Sequence, residues 1–446
     1  MSKVIVVGGG AAGLMAALTA ARNGAETILL ERMPEPGRKM RITGKGRCNI
    51  TNACSVEDFI PNLPGNGKFL FSALHAFTNE DLLTLLQEQG LATVTERGGR
   101  VFPASGKALE VVETLANAFV GAGGRLETGA QVTGFVMQPG KVTGVRYCRV
   151  KNDGRKAGQD YRSLGKKPAQ LGQERTLLAD AVILCVGGAS YPGTGSDGNF
   201  VPVLKKTGLS VEPLLPALVY LQPEEGYTEE LEGLALKNIE ACILTAGKPA
   251  AQEFGELQII RGVLGGPVCL TLSRKVAQLV AQGRRDLELS LDLKPALNEE
   301  KLQARLLRDL QESGKNTLGE VVRGLVPRPL VSPLLDRIFS DTEKPVAQVT
   351  KKDRSNLVHV LKHFTIPLSG TGSLAEAIVT AGGVSLKEID PQTMAAKRFA
   401  GLYFAGEVMD VDGYTGGFNL QAAFSTGYVA GLHAARQSRQ GSVVSG

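Results

Sequence analysis

Short apolar runs alternate with small-residue and polar stretches through the first two hundred residues. Residues 3–7 (KVIVV) and 181–186 (AVILCV) are continuously apolar, which is typical of strands buried on both faces of a parallel sheet. The stretch 11–23 has the small-residue pattern of a helix, and 27–31 (TILLE) predicts a second strand. Residues 32–54 are rich in glycine, arginine and lysine, and we expect a loop there.

The next hundred residues predict a mixture of helices and strands. Two or three helices are expected between about 66 and 122, the last with Ser105 as its N-cap. Strands follow at about 131–137 and 141–150, and a polar insertion occupies 151–173. Six lysine or arginine residues against two acids favour a solvated extension, with a partner-binding loop as the alternative.

The pattern changes near residue 200. Short alternating stretches with proline and glycine turns extend to about 292 and predict a β-rich region with few helices. Residues 298–312 and 328–363 carry leucine and charged residues at helical spacing. Apolar strands and glycines return over 366–404, and the last helix is predicted over 418–437.

Composition indicates an ordinary globular chain with an excess of glycine. The 446 residues are 43% hydrophobic and 21% charged, and 55 of them are glycine. That share is about 12% against a typical ~7%, which indicates many tight turns and close backbone approaches. The net charge of +6 is no nucleic-acid signature by itself, so we expect a small-molecule substrate, with nucleic acid disfavoured.

Cysteine spacing and the lengths of the apolar runs bear on metal binding, disulfide bonds and cellular location. The six cysteines have neither zinc nor disulfide spacing, so no metal site is predicted. Cys48 and Cys54 are expected to be buried, inert thiols, with a redox pair as the alternative. No apolar run reaches the length of a spanning helix, and we expect no leader before the strand at Lys3. We therefore predict a soluble, cytoplasmic protein without membrane contact.

A glycine motif between the first strand and the first helix points to a dinucleotide. Gly8 permits a sharp turn, Gly10 lets backbone N–H groups reach a pyrophosphate, and Gly13 allows helix–strand contact. The helix N-terminus adds its positive dipole end for the phosphates. Glu31 ends the second strand, 21 residues after Gly10, where a carboxylate accepts ribose hydroxyls and repels a 2′-phosphate. The cofactor is therefore FAD or NAD.

A second strand–turn–helix near the end of the chain favours FAD. A strand ends at Gly406 and Glu407, and a glycine turn opens a helix at Gly417, Phe418 and Asn419. This arrangement resembles the second fingerprint of two-dinucleotide-binding flavoproteins. There the strand-end acid accepts a ribityl or ribose hydroxyl, and the helix N-terminus points at the flavin. We predict one noncovalently bound FAD, with NAD(P)H as a candidate transient electron donor.

Several motifs together resemble one flavoprotein family. They are GGGAAGLMAA, TGKGRCNITN, GRVFP, GGASYPGTGSDG, TAGGVSLKEID and GLYFAGEVMDVDGYTGGFNLQAAFSTG. On these motifs the chain is similar to the YhiN/BaiN-type flavoproteins, also called the aminoacetone oxidase family. The resemblance implies one FAD and a three-part architecture. It also implies amine oxidation or the reduction of conjugated oxo-steroids, without fixing the substrate.

The predicted fold class is α/β, with a Rossmann-like two-dinucleotide-binding FAD domain, an inserted β-rich domain and a helical subdomain. The FAD-binding domain is discontinuous because the last strand and helix of the chain complete it. Its predicted bounds are 1–198 and 373–446. The β-rich substrate domain is predicted at 199–295 and 364–372, and the helical subdomain at 296–363.

The predicted catalytic residues are Arg47, Tyr191 and Tyr414. Arg47 or Lys45 can balance phosphate charge or hold a substrate oxyanion near flavin N5, and our hypothesis assigns Arg47 to the substrate. The two tyrosines are candidate proton donors or lids, with packing as the alternative. The residues predicted to bind FAD are Gly8, Gly10, Ala12, Gly13, Glu31, Arg32, Lys45, Gly46, Val132, Gly187, Gly188, Gly406, Glu407, Gly417, Phe418, Asn419 and Gln421.

These features predict an FAD-dependent oxidoreductase. It would transfer a hydride between flavin N5 and a small organic substrate, an amine or a conjugated ketone. Either oxygen or NAD(P)H is its redox partner, and the sequence does not decide between them. An FAD-dependent tRNA-modifying enzyme and a flavin-binding protein without catalysis are the alternatives, and the oligomeric state is open.

Overall fold

The chain divides into two compact units. One comprises Met1–Leu214 with Val379–Gly446, and the other comprises Leu215–Ile378. Most of the insertion predicted at 151–173 lies outside the described residues. The computed structural model describes residues 1–151, 170–314, 316–339 and 344–441.

The described residues form nineteen strands and thirteen α-helices. The strands are β1 (Lys3–Val7), β2 (Glu26–Leu30), β3 (Thr51–Asn52), β4 (Thr93–Glu96), β5 (Arg100–Pro103), β6 (Arg125–Glu127), β7 (Ala130–Gln138), β8 (Lys141–Val150), β9 (Leu171–Leu178), β10 (Ala181–Leu184), β11 (Val211–Ala217), β12 (Leu221–Pro223), β13 (Ala235–Thr245), β14 (Lys248–Ile260), β15 (Val263–Gly265), β16 (Leu287–Asp292), β17 (Phe364–Thr371), β18 (Val379–Val384) and β19 (Leu402–Phe404). The helices are α1 (Ala11–Arg22), α2 (Arg38–Ile42), α3 (Val56–Phe59), α4 (Phe71–Ala76), α5 (Asn79–Glu88), α6 (Ala108–Gly121), α7 (Val201–Lys206), α8 (Pro267–Ala281), α9 (Glu299–Glu312), α10 (Leu318–Arg323), α11 (Val331–Leu335), α12 (Lys351–Lys362) and α13 (Phe418–Gly441).

A five-stranded parallel sheet organises the first unit. Its strand order is β19-β10-β1-β2-β6, and the register pairs Val6 of β1 with Ile183 of β10 and with Leu29 of β2. All three side chains are completely buried, which explains the continuous apolar patterns of these strands. The predicted Rossmann-like α/β domain is confirmed.

Helices α1 and α13 pack against each other through small residues. A Cβ atom on Gly427 would overlap the carbonyl oxygen of Ala12, and a Cβ atom on Gly431 would overlap that of Ala16. Because glycine has no side chain, the two helix backbones approach closely along this line. The first and last helices therefore join one hydrophobic core, so the end of the chain completes the domain that its beginning starts.

Two local predictions are wrong. The expected loop at 32–54 contains helix α2 and strand β3, which pairs with β5 in a three-stranded sheet. Both elements are too short to show a hydrophobic period. Helix α6 begins at Ala108 with Lys107 as its N-cap. The Ser105 hydroxyl bonds to the Glu110 carboxylate at 2.5 Å instead of capping the helix backbone.

The second unit contains a closed barrel of six strands in the order β12-β15-β14-β13-β16-β17. Apolar side chains such as Ile243, Leu289 and Ile366 are buried there. Helix α8 packs against several barrel strands, in a stretch where the sequence predicted few helices. The predicted β-rich insertion is therefore present, with one long helix added.

Helices α9 to α12 share the hydrophobic core of the barrel. Leu306 of α9, Leu334 of α11 and Leu361 of α12 belong to the same buried cluster as Leu289 of β16. Along the chain, the boundaries between the two units fall between residues 214 and 215 and between residues 378 and 379. The finer division into three parts, with a separate helical subdomain, stays a prediction.

Candidate functional site

The loop between β1 and α1 lies at the carboxyl edge of the parallel sheet. Gly8 has a φ of 99°, and a Cβ atom on it would lie 2.5 Å from the carbonyl oxygen of Cys185. A Cβ atom on Gly13 would overlap the Gly8 carbonyl oxygen, whereas one on Gly10 would meet no atom within 4 Å. Gly10 is the N-cap of α1 and makes no side-chain cap hydrogen bond. The helix N-terminus, with its unsatisfied N–H groups, therefore borders open space.

Glu31 follows β2, and its carboxylate is buried beside this loop. Its two oxygens accept hydrogen bonds from the backbone N–H groups of Gly9 at 2.6 Å and Met33 at 2.7 Å. Burial raises the pKa of Glu31, and the two N–H donors oppose that rise. The carboxylate stands at the end of the second strand, where the sequence predicts an acid for the ribose.

Arg32 and Val132, both predicted to bind the cofactor, make contacts within the protein. The Arg32 guanidinium forms an ion pair with Asp197 at 2.6 Å, which ties the end of β2 to the segment after β10. Val132 is buried on β7, opposite Tyr147 of β8. A contact of either residue with FAD stays a prediction.

Gly187 and Gly188 follow β10 in a crowded turn. A Cβ atom on Gly187 would lie 2.8 Å from the Ser196 hydroxyl and 3.9 Å from a carboxylate oxygen of Glu407. A Cβ atom on Gly188 would overlap the Thr380 hydroxyl. Both glycines therefore allow the chain to pass close to the residues that surround Glu407.

Gly406 joins the two predicted fingerprints. A Cβ atom on Gly406 would lie 2.8 Å from the Cβ atom of Ala12 and 3.7 Å from that of Ala423. The Gly406 N–H also donates to the Thr426 hydroxyl on α13 at 3.0 Å. The first turn of α1, the end of β19 and helix α13 therefore meet at one edge of the sheet.

Glu407 is the centre of a polar cluster. The Lys39 ammonium forms an ion pair with Glu407 Oε2 at 2.6 Å. Glu407 Oε1 accepts hydrogen bonds from the Thr380 N–H at 2.7 Å and from the Ser190 hydroxyl at 3.2 Å. The predicted strand-end acid is therefore held by groups from three other segments of the chain.

The two cations predicted in the 43–49 loop have different surroundings. The Arg47 guanidinium lies over the Phe102 ring, 4.1 Å from its centroid, and forms an ion pair with Glu96 at 2.7 Å. Lys45 and Gly46 are exposed, and Lys45 has a left-handed φ of 59°. Arg47 is thus the cation whose orientation the protein fixes.

The start of α13 packs against β3. Gly417 has a φ of 102°, and a Cβ atom on it would overlap the backbone of Thr51. Phe418 is buried edge-on against Phe59, with ring centroids 5.2 Å apart. Gln421 is completely buried, and its amide oxygen accepts a hydrogen bond from the Thr51 hydroxyl at 2.7 Å. These contacts fix the helix start, and their direct use by FAD stays a prediction.

The two candidate tyrosines are positioned through their backbones. Tyr191 has a φ of 51°, and its carbonyl oxygen accepts hydrogen bonds from the N–H and hydroxyl of Thr194, both at 2.8 Å. The Tyr414 N–H donates to the Asn62 carbonyl oxygen at 2.9 Å, and the Asn419 amide donates to the Tyr414 carbonyl oxygen at 3.1 Å. A catalytic role for either phenol stays a prediction.

The cysteines of the described residues are free thiols, and the acidic and histidine side chains there form no metal site. Burial raises the pKa of Cys48 to about 11, and Cys48 and Cys54 are both free thiols. Within the described ranges, no group of three or more His, Cys, Asp or Glu side chains is arranged to hold a metal ion. In the same part of the chain, no helix has the length and apolar character needed to cross a membrane.

Sequence reasoning missed Lys39, Ser190 and Thr380, which surround Glu407. They lie on three segments far apart in the chain, and no spacing rule connects them. The sequence feature that could have pointed to Lys39 is the run of cationic residues after Gly37. It lies inside 32–54, whose composition predicts a loop. The strand order of the parallel sheet brings Lys39 and Ser190 to Glu407, whereas Thr380 reaches it from β18, which pairs with β11 outside that sheet.

This edge of the sheet fits FAD. The open space at Gly10 beside the N-terminus of α1 suits a pyrophosphate, because helix N–H groups and the dipole favour anions. Glu31 and Glu407 place carboxylate oxygens at the ends of two other strands, β2 and β19, where they would suit the hydroxyl groups of the cofactor. The two stretches that the sequence predicts as fingerprints thus lie at one edge, and their contacts with FAD stay predictions.

Comparisons with known proteins agree with this geometry. The family model described as the HI0933-like protein Rossmann domain matches residues 2–433. The chain is 29% identical over 441 residues to the 3-dehydro-bile acid delta(4,6)-reductase of Clostridium scindens, covering 98% of this chain and 100% of the relative. It is 28% identical over 439 residues to the ribosomal RNA dihydrouridine synthase of Haemophilus influenzae, covering 98% and 99%.

Solved structures share the fold at low sequence identity. The 3-ketosteroid-delta4-(5alpha)-dehydrogenase of Rhodococcus jostii has a TM-score of 0.51 at 14% identity, covering 97% of both chains. A flavocytochrome c3 fumarate reductase has a TM-score of 0.50 at 17% identity, covering 98% of this chain and 78% of its own. The chain belongs to the HI0933-like family, the YhiN/BaiN-type flavoproteins that its motifs indicate, and it is an FAD-dependent oxidoreductase.

Proposed function

We propose that this oxidoreductase reduces a carbon–carbon double bond conjugated to a carbonyl group in a small organic molecule. When bound, FAD supplies the hydride-transfer chemistry at its N5 atom. The observation that carries the FAD part of the proposal is the position of Glu31 and Glu407 at the same sheet edge as the Gly8–Gly13 loop. The name of the Clostridium scindens relative supports the substrate class, since a delta(4,6)-reductase of a 3-dehydro compound acts on double bonds conjugated to a ketone.

Each group at the edge has one role in this proposal. The N–H groups that follow Gly10 bind the pyrophosphate, Glu31 accepts the ribose hydroxyls, and Glu407 accepts a ribityl hydroxyl. FAD is bound noncovalently, one per chain, and NAD(P)H is the electron donor. A cytoplasmic location is part of the same proposal.

Arg47 is the candidate for holding the carbonyl oxygen of the substrate. Two of its five N–H groups point at Glu96, and the Phe102 ring lies against its plane, so its remaining donors have a fixed direction. When the double bond accepts a hydride, negative charge develops on the conjugated oxygen, and a fixed guanidinium stabilises it. Tyr191 and Tyr414 are the candidates for supplying the proton that completes the reduction.

Reduction of uridine in RNA is the second candidate function. Relatives named ribosomal RNA dihydrouridine synthase, from Haemophilus influenzae and Escherichia coli, are 28% and 29% identical to this chain. The uracil 5,6-double bond is also conjugated to a carbonyl group, so the hydride chemistry is the same. Exposed cations around Arg47, namely Lys45, Arg97 and Arg100, support contact with phosphates.

The test follows the flavin spectrum anaerobically. FAD-loaded protein is mixed with NADH or NADPH and then with a 4-ene-3-oxo-steroid, with ribosomal RNA or with an amine. We expect NAD(P)H to bleach the flavin and the steroid to restore its colour, with two hydrogens gained in the product by mass spectrometry. Restoration by RNA alone would select the second candidate, and bleaching by an amine without NAD(P)H would assign amine oxidation instead.

The variant Arg47→Lys tests the substrate role within the same experiment. It keeps the charge and loses the planar fork, so we expect full FAD content and flavin reoxidation by the substrate slowed on the order of 10²-fold. If the variant loses FAD while its remaining bound fraction reacts at the normal rate, Arg47 serves the cofactor phosphates and its substrate role is wrong.

A further inference from the structure

Lys39 reaches along the carboxyl edge of the sheet toward the strand end that carries Glu407. It follows β2, whereas Glu407 follows β19, and β1 and β10 lie between these strands in the sheet. The chain after β2 turns back at Gly37, whose N–H donates to the Gly9 carbonyl oxygen at 2.7 Å. Helix α2 begins at the next residue, and from it the Lys39 ammonium extends to 2.6 Å from Glu407 Oε2. One side chain thus links segments on the two sides of the Gly8–Gly13 loop.

The same ammonium also binds the hydroxyl that holds the other carboxylate oxygen. Lys39 donates to Ser190 Oγ at 2.6 Å, and Ser190 donates to Glu407 Oε1 at 3.2 Å. The Thr380 N–H donates to that oxygen as well, at 2.7 Å. The position of the Glu407 carboxylate is therefore fixed from three directions.

Hydrogen-bond capacity remains on both partners of the ion pair. A carboxylate has about four acceptor sites, and among the described residues Glu407 uses three of them for Lys39, Ser190 and Thr380. An ammonium has three hydrogens, and Lys39 uses two of them on partners in the described part of the chain. The side chains of Lys39 and Glu407 are 25% and 17% exposed, so a ligand at this edge can reach both. A hydroxyl group, which donates and accepts, matches that pair.

The Lys39–Glu407 ion pair also affects the charge that the cofactor meets at this edge of the sheet. A pyrophosphate brings two negative charges to the Gly8–Gly13 loop, and an uncompensated carboxylate on the same sheet edge would repel it. Lys39 cancels the charge of Glu407 without removing its acceptor atoms. At the Glu407 end of the edge, the cofactor then meets hydrogen-bonding groups whose charges cancel.

We propose that Lys39 positions FAD through Glu407. It orients the carboxylate to accept a ribityl hydroxyl, cancels its charge, and gives its third N–H to the same part of the cofactor. This inference rests on the FAD site proposed above and adds to it a residue that no fingerprint contains. Lys39 is a positioning residue here, because most of its effect passes through Glu407.

The experiment titrates FAD into apo-protein of the wild type, Lys39→Met, Glu407→Gln and the double variant. We expect Lys39→Met to raise the FAD dissociation constant roughly 10- to 100-fold, as the loss of a charge-assisted contact does. The FAD affinity of the double variant should fall much less than the product of the two single effects predicts. The reason is that both substitutions break the same Lys39–Glu407 ion pair. The matched control is Lys3→Met, which removes a lysine paired with Glu26 at 3.6 Å at the amino edge of the same sheet. It should bind FAD as the wild type does.

The thermal midpoint of the apo-protein separates positioning from a structural role. Lys39→Met should lower it no more than Lys3→Met, since both remove one partly exposed ion pair. Wild-type FAD affinity in Lys39→Met overturns the inference. The inference is also overturned if Lys39→Met strongly lowers the thermal midpoint of the apo-protein while Lys39→Met and Glu407→Gln change FAD affinity independently. If the wild-type protein itself binds no FAD, the proposed cofactor site fails first, and the two failures are therefore distinguishable.

Discussion

The sheet edge of the first unit and the barrel of the second unit bury different kinds of side chain. At the edge, Glu31 is 7% exposed and Arg38 is 2% exposed, although both belong to residue types that carry charge. Within the described part of 215–378, the buried polar side chains are hydroxyls alone, namely those of Thr228, Ser273 and Ser290. Burying a charged group costs free energy unless nearby groups compensate for it. The first unit therefore carries the cost of buried charged groups at its sheet edge, whereas the core of the barrel is apolar apart from a few hydroxyls.

Glycines show the same contrast. Gly247 and Gly262 of the barrel have positive φ angles, and a Cβ atom on either would meet nothing within 4 Å, so they serve hairpin turns. Gly13 and Gly417 of the first unit would place a Cβ atom on neighbouring backbone. These two barrel glycines permit turns, whereas Gly13 and Gly417 permit two pieces of backbone to approach closely. Substitutions should therefore have different consequences in the two units.

The largest effect is expected for Gly13→Val, which places a branched side chain on the Gly8 carbonyl oxygen. We expect no retained FAD and a disrupted first unit, with hydrogen exchange of the barrel unchanged. Gly10→Ala is the matched variant, because its Cβ atom meets nothing in the protein and would meet only the pyrophosphate. It should keep the apo thermal midpoint and weaken FAD binding by at least about tenfold. Equal behaviour of the two variants would contradict the assignment of Gly10 to the phosphates.

Leu289→Ala tests the other side of the comparison. The side chain is completely buried in the barrel, so its truncation should lower the stability of the second unit by about 2–5 kcal/mol. Hydrogen exchange of the barrel strands measures this loss, and FAD affinity should stay at the wild-type value. Leu307→Ala, at a 41% exposed position on α9, is the control and should cost about 0.5 kcal/mol or less. A weakened FAD affinity in Leu289→Ala would show that the barrel core takes part in cofactor binding.

Local patterns explain why the sheet edge was predictable. The apolar run of β1 and the spacing of Gly8, Gly10 and Gly13 lie within a few residues of one another, and each has a direct backbone reason. Glu31 follows at a fixed distance. The network around Glu407 has no such signal, since Lys39 is 368 positions away from it and only sheet order joins them.

The second unit was less predictable for a related reason. Alternating residues between 200 and 292 indicated strands, but the closure of six strands into a barrel depends on pairings such as Leu289 with Ile366 across a long connection. Helix α8 carries β-branched residues and leucines, which favour strand and helix alike, so its period was hidden. Composition could not show that α9 to α12 share the barrel core.

A smaller effect, confined to the cofactor, is expected for Glu31→Gln. Loss of a charge-assisted hydrogen bond to the ribose costs on the order of 1.5–3 kcal/mol, or roughly 10- to 150-fold in FAD affinity. Because burial raises the pKa of Glu31, wild-type affinity should fall as the pH is lowered through that raised pKa, and the variant should lack this dependence. Glu388→Gln is the control, a buried acid that pairs with Arg398. An unchanged affinity in Glu31→Gln would place the ribose elsewhere.

The smallest effect concerns Asp353, which caps helix α12 of the second unit. Its carboxylate accepts from the Thr350 N–H at 2.8 Å and pairs with Lys344 at 2.9 Å, and the bonds to these groups lower its pKa to about 2. The ordinary value is about 3.9, so the stabilisation is complete above that pH and is lost as the pH falls toward about 2. Asp353→Asn should therefore cost about 1 kcal/mol at pH 7, and its difference from the wild type should shrink below about pH 4.

Urea denaturation at pH 7 and pH 3.5 measures this difference, with FAD retention recorded alongside. Asp309→Asn is the control, since that acid pairs with Arg305 on the surface of α9 at 3.4 Å and caps no helix. It should cost about 0.5 kcal/mol or less at either pH. FAD retention should be unaffected in both variants, because the capping carboxylate stabilises a helix that packs on the barrel. A loss of FAD in Asp353→Asn alone would mean that a charge in the second unit serves the cofactor, and the division between the chemistry of the sheet edge and the packing of the barrel would then be wrong.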